Sequence, residues 1–147
     1  MTTRPSQRWR DGVAREAQAL AAGTLEPEYA YMTRLFPESL LQATDTVLDS
    51  FEADVRGLPA PEPGDSADGA GVTDATDKAV FAAIERVVRQ LNTVNEQHGG
   101  GGYETGEREE LCEFIDQTLV EAGIDIYALA GRRGVGVHEL TDEWRDW

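Results

Sequence analysis

The stretch D-K-A-V-F-A-A-I-E-R-V-V-R-Q-L-N-T-V-N, residues 77–95, decides the fold. Val80, Ile84, Val87, Val88, Leu91 and Val94 recur at steps of three and four, so they share one arc of a helical wheel. Glu85 and Arg89 stand four apart on the wet side, where they can pair. Thr73 or Asp74 is placed to cap the start, and Asp74 and Asp77 suit the positive end of the helix dipole. Four glycines at 99–102 end the helix. A further helix is predicted from near Thr105 to Gly123, with Leu111, Ile115, Thr118, Leu119 and Ala122 as its buried stripe. Helices joined by so short a turn pack antiparallel, so residues 74–122 read as a helical hairpin at the core.

Upstream, Trp9, Val13, Ala17, Leu20 and Ala21 outline a first helix that stops at Gly23. Gly12 inside it costs about 1 kcal/mol relative to alanine. A second helix opens at Pro37, a favoured first-turn residue, and buries Leu40, Thr44, Val47, Leu48, Phe51 and Val55. Asp45, Asp49 and Glu52 fall on its other faces, and Gly57 stands where a C-terminal glycine cap would. Pro59, Pro61 and Pro63, followed by glycines, forbid helix and predict a linker or long loop over 59–73. Downstream, Ile124 to Tyr127 reads as a short strand or extended arm, and 132–136 as a turn. Thr141 is placed to cap a final helical turn, T-D-E-W-R-D-W. The expected architecture is all-α: a four-helix bundle-like domain built on the hairpin, with a short irregular C-terminal arm. An N-terminal helical pair over 1–58 and the hairpin and arm over 74–147 together make one compact domain. A small sheet within 124–138 is the competing expectation.

Composition narrows the function. The 147 residues are 40% apolar, and 28 acidic against 13 basic side chains leave a net charge of −15. That length suits one domain with an ordinary core. A single cysteine, Cys112, excludes an intrachain disulfide and a Cys₄ or Cys₂His₂ zinc site. So negative a chain has no excess cation with which to displace phosphate counterions, so nucleic acid is not an expected partner. No apolar run approaches the roughly 20 residues that span a bilayer. No apolar segment of signal-peptide type follows the arginine-bearing start. A cytoplasmic protein without a membrane partner is expected.

The sharpest chemical pattern is acidic. Glu109, Glu110 and Glu113 are spaced E-E-x-x-E with Asp116 beyond them, and Glu139 and Asp142 supply an E-x-x-D. Grouped carboxylates suit Mg²⁺, a hard cation that takes oxygen ligands. The two stretches resemble the carboxylate pattern of the all-α nucleoside-triphosphate pyrophosphohydrolases, the MazG and dimeric dUTPase group. That resemblance implies that Glu109, Glu110, Glu113, Glu139 and Asp142 hold magnesium against a nucleotide's phosphates. The helical wheel points elsewhere. Glu109, Glu113 and Asp116 lie in a narrow arc opposite Leu111, Ile115 and Ala122, so they face solvent. With Thr141 as a cap, Glu139 and Asp142 straddle a helix start and share no helical face. Cys112 flanks the buried stripe among acids that disfavour a thiolate. His98 and His138 adjoin glycine-rich turns, and His138-Glu139 lacks the second histidine of an H-E-x-x-H site.

Asn92 and Asn95 end the helix that decides the fold, and Asn95 falls on its apolar side, where a buried amide needs partners. These amides either fix the turn that follows or, with Glu104 and Arg108, bind a ligand. L-N-x-x-N at 91–95, E-T-x-x-R-E-E-L at 104–111 and the terminal W-R-D-W resemble a small bacterial all-α family with no assigned activity. The resemblance implies that the hairpin and tail are the shared module, with residues 1–73 more individual. Trp144 and Trp147 sit in a segment too short to bury both, and exposed tryptophans are favoured binding anchors. The expected function is therefore a non-enzymatic protein-binding module without a cofactor. Its expected partner is a protein with a basic surface. Its candidate binding residues are Asn92, Asn95, Glu104, Arg108, Trp144 and Trp147. The alternatives are the Mg²⁺-dependent pyrophosphohydrolase, with magnesium its one cofactor, and a structural subunit that forms a homo-oligomer.

Overall fold

The computed structural model describes residues 3–58, 70–100 and 102–145, and every regular element among them is helical. In chain order these are α1 (Pro5–Ala22), the single turn α2 (Met32–Leu35), α3 (Glu38–Arg56), α4 (Ala70–Gln97), α5 (Thr105–Glu121) and α6 (Ile126–Arg133). Short 3₁₀ turns occupy Pro27–Tyr29 and Val137–Glu139. None of the described helices is long and apolar enough to cross a membrane.

The apolar stripes read from the sequence form the core. On α3, Leu40, Leu41, Thr44, Val47, Leu48, Phe51 and Val55 are buried. On α4, Val80, Ile84, Val87, Val88, Leu91 and Val94 are buried with them. The closest pairing in the fold is α3 against α4, whereas α5 packs mainly on α1, α3 and α6. The two helices flanking the glycine turn are present, but the longest interface lies one helix earlier than the hairpin reading places it. Length explains the preference. At 28 residues α4 is about 42 Å long. Its stripe needs an equally long partner, which α3 supplies from Leu40 to Val55. The buried residues of α5 run only from Leu111 to Leu119.

Three local expectations change. First, α4 starts at Ala70, so residues 70–73 of the expected linker are helical, and Thr73 and Asp74 lie inside the helix rather than capping it. The remaining linker residues, 59–69, are outside the described residues. Second, α1 buries Pro5, Ser6, Trp9 and Glu16, while Ala17, Leu20 and Ala21 stay exposed. Glu16 is drawn inward because its carboxylate accepts the backbone N–H groups of Tyr31 and Met32, each at 2.9 Å. Gly12 stands under the Met32 side chain, whose flexible end would have to shift to admit a Cβ. Third, the C-terminal arm carries a helix where a strand was an option. Ile126, Leu129 and Ala130 bury at helical spacing, and the Asp125 carboxylate caps α6 by accepting the Ala128 N–H at 3.0 Å. Thr141 caps nothing. It is buried, with its hydroxyl 3.4 Å from the Cys112 thiol.

Arginines clamp α1 to α3. Arg4 donates to Glu52 through Nε and Nη2, at 3.0 and 2.9 Å, and also pairs with Asp49. Arg10 bridges Glu38 at 2.7 Å and Asp45 at 2.8 Å. The acids set on the wet faces of α3 are thus met by cations from α1.

Candidate functional site

The glycine turn between α4 and α5 is organised around Tyr103, which is fully buried. Gly99 and Gly100 take φ values of +80° and +78°, a left-handed backbone that glycine adopts without strain. Asn95 then ties the turn from both sides. Its Nδ2 donates to the Gly100 carbonyl at 3.2 Å, and its Oδ1 accepts the Tyr103 N–H at 3.1 Å. The Tyr103 carbonyl accepts Arg108 Nε at 3.0 Å. Its hydroxyl meets the buried Thr44 hydroxyl of α3 at 2.7 Å. Burial pushes the Tyr103 phenol up to about 12, with the Thr44 hydrogen bond opposing part of that rise. The ring lies 6.1 Å from Trp9, which in turn stacks on Phe36 at 5.1 Å. Asn95 and Arg108 therefore hold the turn, and they present the exposed Glu104 beside it.

From that anchor α5 projects its acids outward. Glu104, Glu109 and Glu113 are exposed and Glu107 is half-buried. Among the described residues none of the four forms an ion pair. Glu110 turns toward α1, where its Oε2 lies 3.8 Å from Arg8 Nη1 and is buried without a hydrogen bond. Asp116 departs from the outward arc in being half-buried. Burial, then the charge of Glu113, push its carboxyl up to about 6, and His138 acts in the opposite direction. No group of three or more His, Cys, Asp or Glu side chains among the described residues is gathered as for a metal ion. Glu109, Glu110 and Glu113 on α5, and Glu139 and Asp142 in the arm, do not converge.

The arm is docked, not loose. Asn92 Nδ2 donates to the Trp144 carbonyl at 2.7 Å, and Arg145 Nη1 lies 3.3 Å from the Cys112 sulfur. Trp144 is half-buried against the core, and its ring stands 5.6 Å from the Arg133 guanidinium, which also covers Phe81 at 4.3 Å. A shallow cleft of about 390 Å³ beside this stack includes Asp77, Lys78 and Arg132 in its lining. Arg132 is held there by Asp77 at 2.7 Å. Trp147 lies outside the described residues.

The two histidines have separate surroundings. His98 reaches back to α3, with Nδ1 2.8 Å from the Val94 carbonyl and Nε2 3.1 Å from the Ser39 hydroxyl. The carbonyl takes the Nδ1 proton, which leaves Nε2 to accept from Ser39. His98 thus joins the end of α4 to the start of α3. His138 is exposed, with Nε2 4.0 Å from Glu139.

Sequence reasoning singled out Asn92, Asn95, Glu104, Arg108 and Trp144, and the structure brings Asn95, Glu104 and Arg108 together around one turn. It placed Thr44 on a buried stripe but missed its partner Tyr103, and it missed Glu16; these roles arise from contacts across 59 and 15 residues of chain. It also missed Tyr29 and Tyr31, exposed in the connection between α1 and α3. No protein-family model, no curated protein and no solved structure matches the chain.

Proposed function

We propose that this chain is a non-enzymatic protein-binding module that takes a partner with a basic surface and acts in the cytoplasm. The observation that carries the reading is the set of unpaired acids on the first half of α5, Glu109 and Glu113 on its outward side and Glu104 and Glu107 at its N-terminal end, none with an ion-pair partner among the described residues. The helix dipole accounts for acids in a first turn, and Glu107 sits there. That effect fades within one turn, so it gives no reason for Glu109 and Glu113. Where helices and the arm meet, several acids are matched by cations: Arg4 and Arg10 on α3, Arg86 on Asp54, Arg132 on Asp77 and Arg145 on Asp142. A face left uncompensated beside such pairing is suited to cations from outside, which it steers and orients. The magnesium reading has no comparable support, since its five carboxylates do not converge.

The test places the wild-type chain and a Glu104/Glu107/Glu109/Glu113→Gln variant side by side in lysate of the source cells at about 0.15 M salt, where screening removes weak nonspecific attraction. The expected result is a defined partner held by the wild type and released by the variant, with the complex reconstituted from the two purified proteins. Retention of no partner, or of the same proteins by both chains, overturns the reading. Pyrophosphate release from a nucleotide with Mg²⁺, abolished by Glu113→Gln, would replace it with hydrolysis.

A further inference from the structure

Trp9, Phe36, Phe51, Tyr103 and Phe114 are buried, whereas Tyr29, Tyr31 and Tyr127 are exposed. Tyr29 and Tyr31 are 64% and 58% exposed, two residues apart in the connection from α1 to α3. Between them Ala30 is extended, with φ −81° and ψ 113°, a backbone that sends alternate side chains to the same side. A pair of exposed aromatics on a loose loop would have little significance, but this loop is fastened. Pro27 opens a 3₁₀ turn closed by Tyr29 N–H to the Glu26 carbonyl at 2.9 Å. The buried Glu16 carboxylate accepts both the Tyr31 and the Met32 N–H. A buried carboxylate is costly unless it is hydrogen-bonded, and here it is used on the backbone that carries Tyr31. The rings are held on a preorganised platform, which lowers the ordering cost of binding.

The charges around the rings give the chemistry of the occupant. Glu26 and Glu28 precede Tyr29 in the same turn, both are exposed, and neither has an ion pair among the described residues. The neighbouring cation, Arg34, turns to the Ala30 carbonyl at 3.1 Å. Tyrosine faces attract guanidinium groups, and free carboxylates beside them accept the guanidinium N–H donors. A second copy of this chain, at net charge −15, is repelled. We propose that the Glu26–Tyr31 loop is a docking site for an arginine-rich segment of a partner protein, each tyrosine taking an arginine on its face. This rests on the reading of the chain as a binder of basic protein surfaces, and it names a contact separate from the α5 acids.

The probes are a nona-arginine peptide and a nona-lysine peptide of equal charge, titrated into ¹⁵N-labelled full-length protein at about 0.15 M salt. The expected result is saturable amide shifts over 26–31 with the arginine peptide, tighter than with the lysine peptide. A Tyr29→Ala/Tyr31→Ala variant, altered only at exposed side chains, should bind the arginine peptide about tenfold more weakly. Its spectrum away from the loop should match the wild type. Binding by that variant within twofold of the wild type overturns the docking site. Shifts confined to 104–113 overturn it too, while leaving the wider reading standing. No saturable shift anywhere removes both.

Discussion

The Thr44–Tyr103 contact is the sharpest test of how the acidic face is held in place. Both side chains are fully buried, and their hydroxyls meet at 2.7 Å between α3 and the turn that launches α5. Removing one partner leaves the other hydroxyl buried without its bond, which costs about 1–3 kcal/mol. Removing both leaves no such orphan. Tyr103→Phe should cost about 1 kcal/mol, the low end, because the remaining Thr44 hydroxyl can turn back to a carbonyl of its own helix. Thr44→Val should cost about 2 kcal/mol, since a phenol oxygen stands too far from its own backbone to turn back to it as a threonine hydroxyl can. The double variant should fall short of the sum by about 1 kcal/mol, the interaction energy of the pair. Urea unfolding followed by far-ultraviolet circular dichroism measures all four chains, and an unchanged slope confirms that the unfolded states compare. A second readout comes from pH. Unfolded tyrosine titrates near 10 and folded Tyr103 near about 12, so the unfolded chain loses its proton first. The stability tied to this proton is complete below pH 10 and lost as pH rises toward 12. Tyr103→Phe should remove that alkaline loss. Single costs that add to within about 0.3 kcal/mol in the double variant would refute the account.

Two other substitutions probe the same region. Asn95→Ala orphans the buried Tyr103 N–H and the Gly100 carbonyl together, so it should cost about 2–4 kcal/mol; thermal unfolding should show a fall of about 5–15 °C, and a fall under 2 °C contradicts the structural role. Asp116, pushed up to about 6 by burial and by Glu113, keeps its proton in the folded state between pH 4 and 6, where the unfolded chain has released it. Its contribution to stability is complete below pH 4 and lost as pH rises through 6, so at pH 7.5 the ionised group is a liability. Asp116→Asn should gain about 1 kcal/mol at pH 7.5, after discounting for solvent screening, and less at pH 4. Equal urea midpoints for the two chains at pH 7.5 would contradict this.

The sequence is most legible where one helix decides its own burial. The stripes of α3 and α4 need only the 3.6-residue period, and their apolar members are inside as expected. Asn95 was legible as an amide on a dry face for the same reason. What fails is reading that depends on a second element. Tyr103 follows four glycines and carries no periodic signal, yet three side chains from α3, α4 and α5 converge on it. Glu16 looks like one more exposed acid until the loop returning over α1 presents two N–H groups to it. The outward face of α5 is predictable for Glu109 and Glu113, but the half-burial of Asp116 carries no signal in the 3.6-residue period. Ile124 to Tyr127 alternates like a strand over four residues, and only the longer spacing to Leu129 and Ala130 shows the helix.

The distribution of cations ties these observations together. A single exposed ion pair contributes about 0–1 kcal/mol, so scattered arginines would do little for a chain this negative. Here they are concentrated where helices meet. Arg4 has a side chain only 25% exposed and serves both Asp49 and Glu52 across the α1–α3 seam. Arg132 bridges α6 to α4 through Asp77 with two parallel hydrogen bonds, at 2.7 and 2.9 Å. Such pairing quenches repulsion between elements that must pack, and leaves it intact where nothing packs. Among the acids left without an ion pair in the described residues are those of the first half of α5 and Glu26 and Glu28, which precede Tyr29. Both sets project from backbone that buried side chains fasten, Tyr103 and Asn95 in one case and Glu16 in the other. Uncompensated charge on fixed backbone is expensive to keep in an isolated protein, since it repels itself without adding to the core. It becomes favourable when an oppositely charged surface covers it, and that is the physical basis for proposing that this fold binds one.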